Sequence, residues 1–234
     1  MSTLTLVRHG QSRSFEREEG VLSPLGEAQA ARLARYWLAH AIRFDEVYTG
    51  SLVRHTQTEQ VVAGCFRQAG EPWPAAVRNP AWDEYDVTGV LAGYVPRDSR
   101  LAALAEQCER ARGAPEEHRK FHRLLEAAML RWLEEKGEIE GMESWPTFRT
   151  RVLSAIRGLM AGPSGRRVVV FTSGGPIGFS VHFALQAPSR SFLDVNWRIR
   201  NGSVSEFIFD RDRFALDAFN AIAHLDDLDL RTFR

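Results

Sequence analysis

The sequence has 234 residues, of which 44% are hydrophobic, so the chain can bury the core of one large domain. Its 30 basic and 30 acidic residues give a formal net charge of zero, which argues against bulk electrostatic binding of nucleic acid or an anionic membrane. Two cysteines, Cys65 and Cys108, are too few for a disulfide framework and lack a metal-ligand spacing.

The first predicted elements are a strand and an amphipathic helix. Residues 3–8 form a short apolar segment that turn residues follow at once, which predicts a strand. Ser23-Pro24 then predicts a helix start, with the serine as N-cap and the proline in the first helical position. The helix carries one apolar stripe at i, i+3, i+4, i+7 and i+8, made of Ala30, Leu33, Ala34, Trp37 and Leu38.

Two further strands and a helix are predicted before residue 80. Residues 45–49 form a second strand candidate, and Ser51 is expected to cap a helix that runs to about Gln68. Residues 75–78 form a third strand candidate that ends near Pro80.

The clearest strand lies late in the chain. Residues 168–172 are a continuous apolar run, bounded by two arginines and by Ser173-Gly174-Gly175, as expected for a strand buried on both faces. A helix over residues 176–185 should follow, and residues 195–199 and 204–209 are strand candidates.

Strands that alternate with helices predict an α/β fold: a three-layer α/β/α sandwich with a mostly parallel central sheet. We expect residues 1–234 to form one domain with a helical insertion at about residues 88–142, a segment rich in Ala, Leu, Glu and Arg. The insertion is expected to form a pocket wall or an oligomer interface, and its apolar stripe does not choose between them.

Ligands of parallel sheets bind just beyond the carboxyl ends of the strands. This rule selects three segments: residues 8–10, 49–51 and 173–175. The first contains a histidine between an arginine, whose planar fork matches phosphate, and a glycine, which lets a ligand approach the backbone. A His-Gly pair after a strand is by itself more often structural than catalytic, so other parts of a phosphate site are needed.

Further motifs resemble successive signatures of the histidine phosphatase superfamily, the phosphoglycerate mutase-like group. They are residues 6–12 (LVRHGQS), 22–30 (LSPLGEAQA), 47–54 (VYTGSLVR) with Gln57-Thr58, Trp82-Asp83-Glu84, Glu143-Ser144 and 201–204 (NGSV). They occur in order along nearly the whole chain, and the helical insertion is the unmatched part.

The resemblance implies a role for each matching residue. His9 is the expected nucleophile, which becomes phosphohistidine, and Arg8 and Arg54 are expected to bind the phosphoryl oxygens. Their charges would also keep the His9 ring neutral and therefore able to attack. Gln11 and Gly174 are further candidates for phosphate contact. The alternative for Arg54 is a solvated position on a helix face, but its place in a first helical turn favours an anion site.

Glu84 is the expected general acid, which would protonate the leaving alkoxide. That role requires a carboxyl group that stays protonated near neutral pH, and hence partial burial near Trp82 or Tyr85. An ordinary loop glutamate is the alternative, and Asp83 and Asp86 are rival acids.

The family pattern breaks at Ser173, where the superfamily ordinarily has a second histidine that donates to the transferring phosphoryl group. A hydroxyl can donate one hydrogen bond but brings no charge, and loss of one donor typically slows a reaction by about 10²–10³. Replacement of Ser173 by histidine is therefore expected to raise turnover. A second departure is Phe15, where many relatives carry a phosphate-contacting asparagine.

These features predict an enzyme that transfers a phosphoryl group through phosphohistidine, a phosphatase of small phosphate monoesters without metal or organic cofactor. A phosphomutase and a catalytically weak phosphate-binding homologue are the alternatives, and Ser173 favours the latter. No nucleic-acid or membrane partner is expected, and homo-oligomers are possible. Because the sequence shows no signal peptide and no membrane-length apolar run, a cytoplasmic location is expected.

Overall fold

The computed structural model describes residues 1–13, 20–135, 137 and 139–233. In them the strands are β1 (Ser2–Arg8), β2 (Glu46–Thr49), β3 (Ala76–Arg78), β4 (Arg167–Thr172), β5 (Val204–Phe209) and β6 (Phe214–Ala221). The helices are α1 (Pro24–Ala39), α2 (Val53–Gln68), α3 (Val87–Tyr94), α4 (Ser99–Arg110), α5 (Glu117–Glu134), α6 (Trp145–Met160), α7 (Gly174–Leu185) and α8 (Ser189–Asn196). They form two compact units: a sheet unit (residues 1–84 and 151–234) and a helical unit (residues 85–150).

The six strands of the sheet unit form one mixed sheet in the order β3-β2-β4-β1-β5-β6. Neighbouring strands in the run β3-β2-β4-β1 are parallel, while β5 pairs antiparallel with β1 and with β6 at one side. The mostly parallel α/β fold is therefore confirmed, and the antiparallel pair extends it.

Buried apolar side chains cover both faces of the central strands. On one face, α1 and α2 pack on strand residues in a cluster that includes Leu33, Trp37, Val62, Phe66, Val169 and Phe171. Side chains alternate along each strand, so Leu6 and Val170, which are also fully buried, point to the other face. The strand predicted over residues 168–172 is confirmed as the central strand β4.

Two helix starts differ from their predicted form. Ser23 caps α1 as predicted, because its hydroxyl accepts a hydrogen bond from the Gly26 amide at 3.1 Å. The predicted Ser51 cap of α2 is wrong: the N-cap is Leu52, which makes no side-chain cap bond. The hydroxyl of Ser51 donates instead to the carboxylate of Asp83. Helix α7 begins at Gly174, two residues before the predicted start.

The predictions for the last quarter of the chain are partly wrong. Residues 195–199, a predicted strand, lie at the end of α8 and in the turn after it, where the Ile199 amide donates to the Asn196 carbonyl. The strand predicted over residues 204–209 is confirmed as β5. Strand β6 was not predicted, because its residues are half-buried or exposed and give no strong apolar alternation.

The helical unit has an aromatic core of its own. The buried ring of Trp132 on α5 lies 5.3 Å from the rings of both Tyr85 and Trp145, and 5.6 Å from Phe148. These contacts join α5 to the start of α6 and to the segment before α3. No helix in the described part of the chain is long and apolar enough to cross a membrane.

Candidate active site

Strand register brings the predicted site segments to one edge of the sheet. Arg8 at the end of β1 pairs with Thr172 at the end of β4, and the His9 amide donates to the Thr172 carbonyl at 2.9 Å. Gly50, just after β2, donates to the Phe171 carbonyl at 3.0 Å. His9, Gly50 and the segment after β4 are therefore neighbours at the carboxyl edge, as predicted.

His9 is held in one tautomer. Its side chain is only 6% exposed, and its Nδ1 atom lies 2.7 Å from the Gly10 carbonyl oxygen. A carbonyl oxygen only accepts, so Nδ1 must carry the hydrogen of the neutral ring. The other nitrogen, Nε2, then has a free lone pair, which is what a nucleophilic histidine requires.

The surroundings of His9 keep its ring neutral. Burial lowers the pKa of His9 well below its ordinary value, and the positive charges of Arg54 and Arg8 lower it further. His55 acts in the same direction, whereas the hydrogen bond to Gly10 opposes these effects. The ring is thus unprotonated at neutral pH.

The backbone around His9 is fixed from three sides. The Gly10 amide donates to the Thr58 hydroxyl on α2 at 3.1 Å. The His9 carbonyl accepts from the Gly202 amide at 3.2 Å and from the side chain of Asn201 at 3.3 Å. Residues 201 and 202 of the 201–204 motif thus orient the segment that carries His9.

Arg8 and Arg54 supply the positive charge of the site. Arg8 donates to the Ile199 carbonyl, which anchors its guanidinium beside the strand end. Arg54 is the second residue of α2, where the helix dipole also favours anions. Burial lowers the pKa of Arg54, while the carboxylates of Glu84 and Asp83 raise it, and an arginine stays charged under either influence.

Asp83 and Glu84, the rival acids, have different surroundings. Asp83 accepts from the Ser51 amide at 2.5 Å and from the Ser51 hydroxyl. Burial raises the pKa of Asp83, but the nearby His55 ring and the hydrogen bonds from Ser51 outweigh burial and hold the pKa below its ordinary value. Asp83 is therefore a carboxylate with occupied oxygens and a poor proton donor.

The side chain of Glu84 lies beside the start of α7. Its two carboxyl oxygens are 3.0 and 3.3 Å from the Gly175 amide nitrogen, which donates to them. Arg151 fixes the backbone of this loop, since its guanidinium donates to the carbonyls of Ala81, Asp83 and Glu84. Glu84 is thus aimed at the strand edge that carries the segment after β4, while the third rival, Asp86, caps α3 by accepting from the Gly89 amide.

Ser173 is fully buried, and its hydroxyl oxygen lies 2.6 Å from Nε2 of His55. His55 was not among the predicted site residues, yet its ring centroid is 5.8 Å from that of His9. The available signal was its position, one residue after Arg54 in the first turn of α2. A histidine there faces the same strand edge as its neighbour.

The other predicted contact residues have structural partners. The Gln11 amide donates to Gln29, and its side-chain oxygen accepts from Ser23, so Gln11 joins the loop after β1 to α1. At Gly174 an added Cβ would lie 2.5 Å from the Asn196 side-chain oxygen, so any other residue would require the Asn196 side chain to move. Phosphate contact by both residues stays a prediction, and Phe15 lies outside the described residues.

No group of three or more His, Cys, Asp or Glu side chains in the described ranges is arranged to hold a metal ion. The residues gathered at the strand edge are therefore two arginines, two histidines, two carboxylates and a hydroxyl, a set suited to binding and transferring a phosphoryl group.

Solved structures with the same fold support this reading of the architecture. Bacillus stearothermophilus YhfR matches with a TM-score of 0.65 and 18% identity, over 97% of this chain and 100% of that chain. A phosphoglycerate mutase from Bacillus anthracis str. Sterne matches at 0.63 and 18%, over 95% and 94%. A phosphoserine phosphatase from Entamoeba histolytica, in complex with 3-phosphoglyceric acid, matches at 0.63 and 19%, over 96% and 100%.

Comparison with curated proteins gave no match. A family model, however, matches residues 4–87 and 98–222, which is most of the chain and includes every residue of the strand-edge site. The chain belongs to the histidine phosphatase superfamily, branch 1.

Proposed function

We propose that the protein hydrolyses a small phosphate monoester through a phosphohistidine on His9. The observation that carries this proposal is the hydrogen bond from His9 Nδ1 to the Gly10 carbonyl, which leaves Nε2 free to attack. The low pKa of His9 and the two adjacent arginines support the same role.

In the first step Arg8 and Arg54 hold the phosphoryl oxygens while His9 Nε2 attacks phosphorus. The ester P–O bond breaks as the N–P bond forms, and Glu84 gives its proton to the leaving alkoxide. In the second step the Glu84 carboxylate accepts a proton from water as that water attacks phosphorus. The N–P bond breaks, phosphate leaves, and His9 and Glu84 return to their starting forms.

A phosphomutase would share the first step and then return the phosphoryl group to the bound substrate. The match to a phosphoglycerate mutase keeps this as the second candidate. The two are distinguished by product: a phosphatase releases inorganic phosphate in step with substrate loss, whereas a mutase forms an isomeric ester.

The first prediction tests the nucleophile. Rapid mixing with excess p-nitrophenyl phosphate, followed by alkaline quenching, should trap acid-labile phosphate on His9, located by mass spectrometry. His9→Ala should carry none and should lose activity, because no other group forms the intermediate. His40→Ala, at an exposed histidine beyond α1, serves as the control and should behave like the parent. Undiminished hydrolysis by His9→Ala would end the proposed mechanism.

A further inference from the structure

Three polar side chains, those of Ser173, His55 and Asp83, lie in a row beside His9. The Ser173 hydroxyl oxygen is 2.6 Å from His55 Nε2, and His55 Nδ1 is 3.6 Å from an Asp83 carboxylate oxygen. Ser173 and His55 are completely buried. The three residues come from the end of β4, the first turn of α2 and the loop after β3, so only the tertiary structure brings them together.

Gly50, just after β2, leaves room for the side chains of His55 and Asp83. A Cβ added at Gly50 would lie 2.1 Å from His55 Nδ1 and 2.6 Å from the Asp83 oxygen. No side chain can tolerate such distances, so glycine at this position is a condition for the His55–Asp83 pair. This steric evidence is independent of the hydrogen bonds.

The direction of the Ser173–His55 hydrogen bond follows from the carboxylate. Asp83 is ionised, and its oxygen lies 3.6 Å from His55 Nδ1, beyond hydrogen-bond range, where its negative charge favours a hydrogen on that nitrogen of the neutral ring. His55 Nε2 then accepts from the Ser173 hydroxyl. In this state the hydroxyl hydrogen points at His55 and is not offered to a ligand.

Protonation of His55 would reverse that bond. Imidazolium donates from both nitrogens, to Asp83 and to Ser173, and the hydroxyl must then turn its hydrogen elsewhere. We expect it to turn toward the anion site, because Ser173 follows β4 at the edge where His9 lies. A hydrogen bond from a hydroxyl backed by imidazolium is charge-assisted and hence stronger than one from an isolated serine.

We propose that Ser173 donates a hydrogen bond to the transferring phosphoryl group. His55, held by Asp83, is the positioning residue: it takes up a proton when the anion binds, which turns the hydroxyl hydrogen of Ser173 toward the phosphoryl group. The inference rests on the proposed function of His9. The proton comes from the monoanionic form of the ester or from solvent, and it is released when the anion leaves.

The charges that face His55 are compatible with such a cycle. In the free protein the pKa of His55 is lowered to about 4, because burial and the charge of Arg54 on its own helix outweigh Asp83, which raises it. His9 faces it from the end of β1, and is itself neutral. A bound phosphate dianion is the opposing charge that would raise the pKa of His55.

The kinetic test measures the single-turnover rate of His9 phosphorylation by p-nitrophenyl phosphate. We expect Ser173→Ala to slow it about 10²–10³-fold, the usual effect of one lost donor. His55→Asn should slow it at least tenfold, and Ser173→Thr, which keeps the hydroxyl, should recover most of the rate. The double variant Ser173→Ala/His55→Asn should be no slower than Ser173→Ala, because Ser173→Ala alone already breaks the relay that runs from Asp83 through His55 to Ser173.

Ser180→Ala is the matched control. Ser180 is also fully buried on α7, but its hydroxyl donates to the Pro176 carbonyl of its own helix. This variant should phosphorylate His9 at the parent rate. Multiplied effects in the double variant, or Ser173→Ala within threefold of the parent, would overturn the relay.

A second measurement needs no variant of the relay. In the ¹⁵N NMR spectrum of the parent protein at pH 7, His55 should show the neutral Nδ1–H tautomer alone and imidazolium with saturating inorganic phosphate. An unchanged neutral His55 in the phosphate complex would overturn the proposal even if the variants misfold.

The two proposals fail in different ways. If the parent forms no phosphohistidine, the proposed function is wrong. If phosphohistidine forms on His9 but its rate of formation is unchanged by substitution of Ser173 and His55, only the relay is wrong. Phosphate trapped on Ser173 would make that residue the nucleophile and would overturn both.

Discussion

At the scale of single residues, chemistry here depends on which partner each polar atom already has. His9 is a candidate nucleophile because the Gly10 carbonyl takes its Nδ1 hydrogen. Asp83 and Glu84 are adjacent in sequence, yet Asp83 is bound by Ser51 and His55 whereas Glu84 accepts from the first turn of α7. Residue type alone does not distinguish the two carboxylates.

The assignment of the acid can be tested through the leaving group. Glu84→Gln should slow phosphorylation of His9 by an alkyl phosphate about 10²–10⁴-fold but leave phosphorylation by p-nitrophenyl phosphate nearly unaffected, because only a poor leaving group needs a proton. Asp83→Asn should slow phosphorylation by both esters alike, since Asp83 acts through His55. Single-turnover phosphorylation rates with the two esters test this, with Asp86→Asn, which keeps its helix cap, as the unaffected control. Equal slowing of phosphorylation by both esters in Glu84→Gln would remove Glu84 from the acid role.

The fold adds an expectation about stability to the predicted effect of histidine at position 173. Ser173 has no exposed surface, and His55 already lies 2.6 Å from its hydroxyl. We therefore expect Ser173→His alone to overpack the site and lower the free energy of unfolding by about 1–3 kcal/mol. His55→Ala in the same chain should recover part of that loss by opening space for the new ring. Urea unfolding of both variants tests this, and a double variant no more stable than Ser173→His would contradict it.

At the scale of elements, close backbone contacts join the strand that carries His9 to the helix after it. A Cβ at Gly26, in the first turn of α1, would lie 2.1 Å from the Gln11 carbonyl oxygen, and one at Gly10 would lie 2.3 Å from the Gly26 carbonyl oxygen. Both obstacles are backbone atoms, which cannot rotate away. The two glycines thus fix the distance between the loop after β1 and α1.

This contact predicts opposite effects for two helical glycines. Gly26→Ala should lower the free energy of unfolding by about 2 kcal/mol or more, and should impair activity because the His9 loop must shift. Gly64→Ala, in α2 with nothing within 4 Å of the new methyl group, should stabilise by about 0.5–1 kcal/mol through helix propensity. Urea denaturation measures both. A neutral Gly26→Ala would show that the junction can relax.

At the scale of the whole molecule, burial of neutral histidines makes stability depend on pH. Burial lowers the pKa of His55 and of His224 to about 4 and that of His9 well below its ordinary value. Below about pH 6.5 these histidines bind protons in the unfolded chain but stay neutral in the folded chain until the pH approaches 4. Stability from these residues is therefore fully present above about pH 6.5 and is lost as the pH falls toward 4.

The expected loss can be measured by urea unfolding at pH 5, 6 and 7. Each histidine with a pKa near 4 should contribute a loss of about 2 kcal/mol between pH 7 and 5. Glu59 and Glu206, whose pKa values burial raises, act in the opposite direction, so the parent must be compared with variants. His224→Asn and His55→Asn should each show a shallower pH dependence than the parent. Identical slopes in all three proteins would refute this account.

The sequence by itself determined the architecture and the local parts of the site. Apolar runs and their turn signals define β1 and β4, and Ser23-Pro24 defines the start of α1, because these depend on neighbouring residues alone. The same local reasoning failed at residues 195–199 and missed β6, whose strand conformation depends on pairing with β5 rather than on its own pattern.

Only the tertiary structure decided what lies beside His9. Ser173 and His55 are 118 positions apart in sequence, and no local pattern encodes a hydrogen bond across that separation. The parallel pairing of β1, β4 and β2 sets those strand ends side by side, and the first turn of α2 then adds His55 to the same edge. The sequence could identify a missing histidine after β4, but the fold had to show that another imidazole occupies the adjacent space, because burial and pairing are properties of the packed chain.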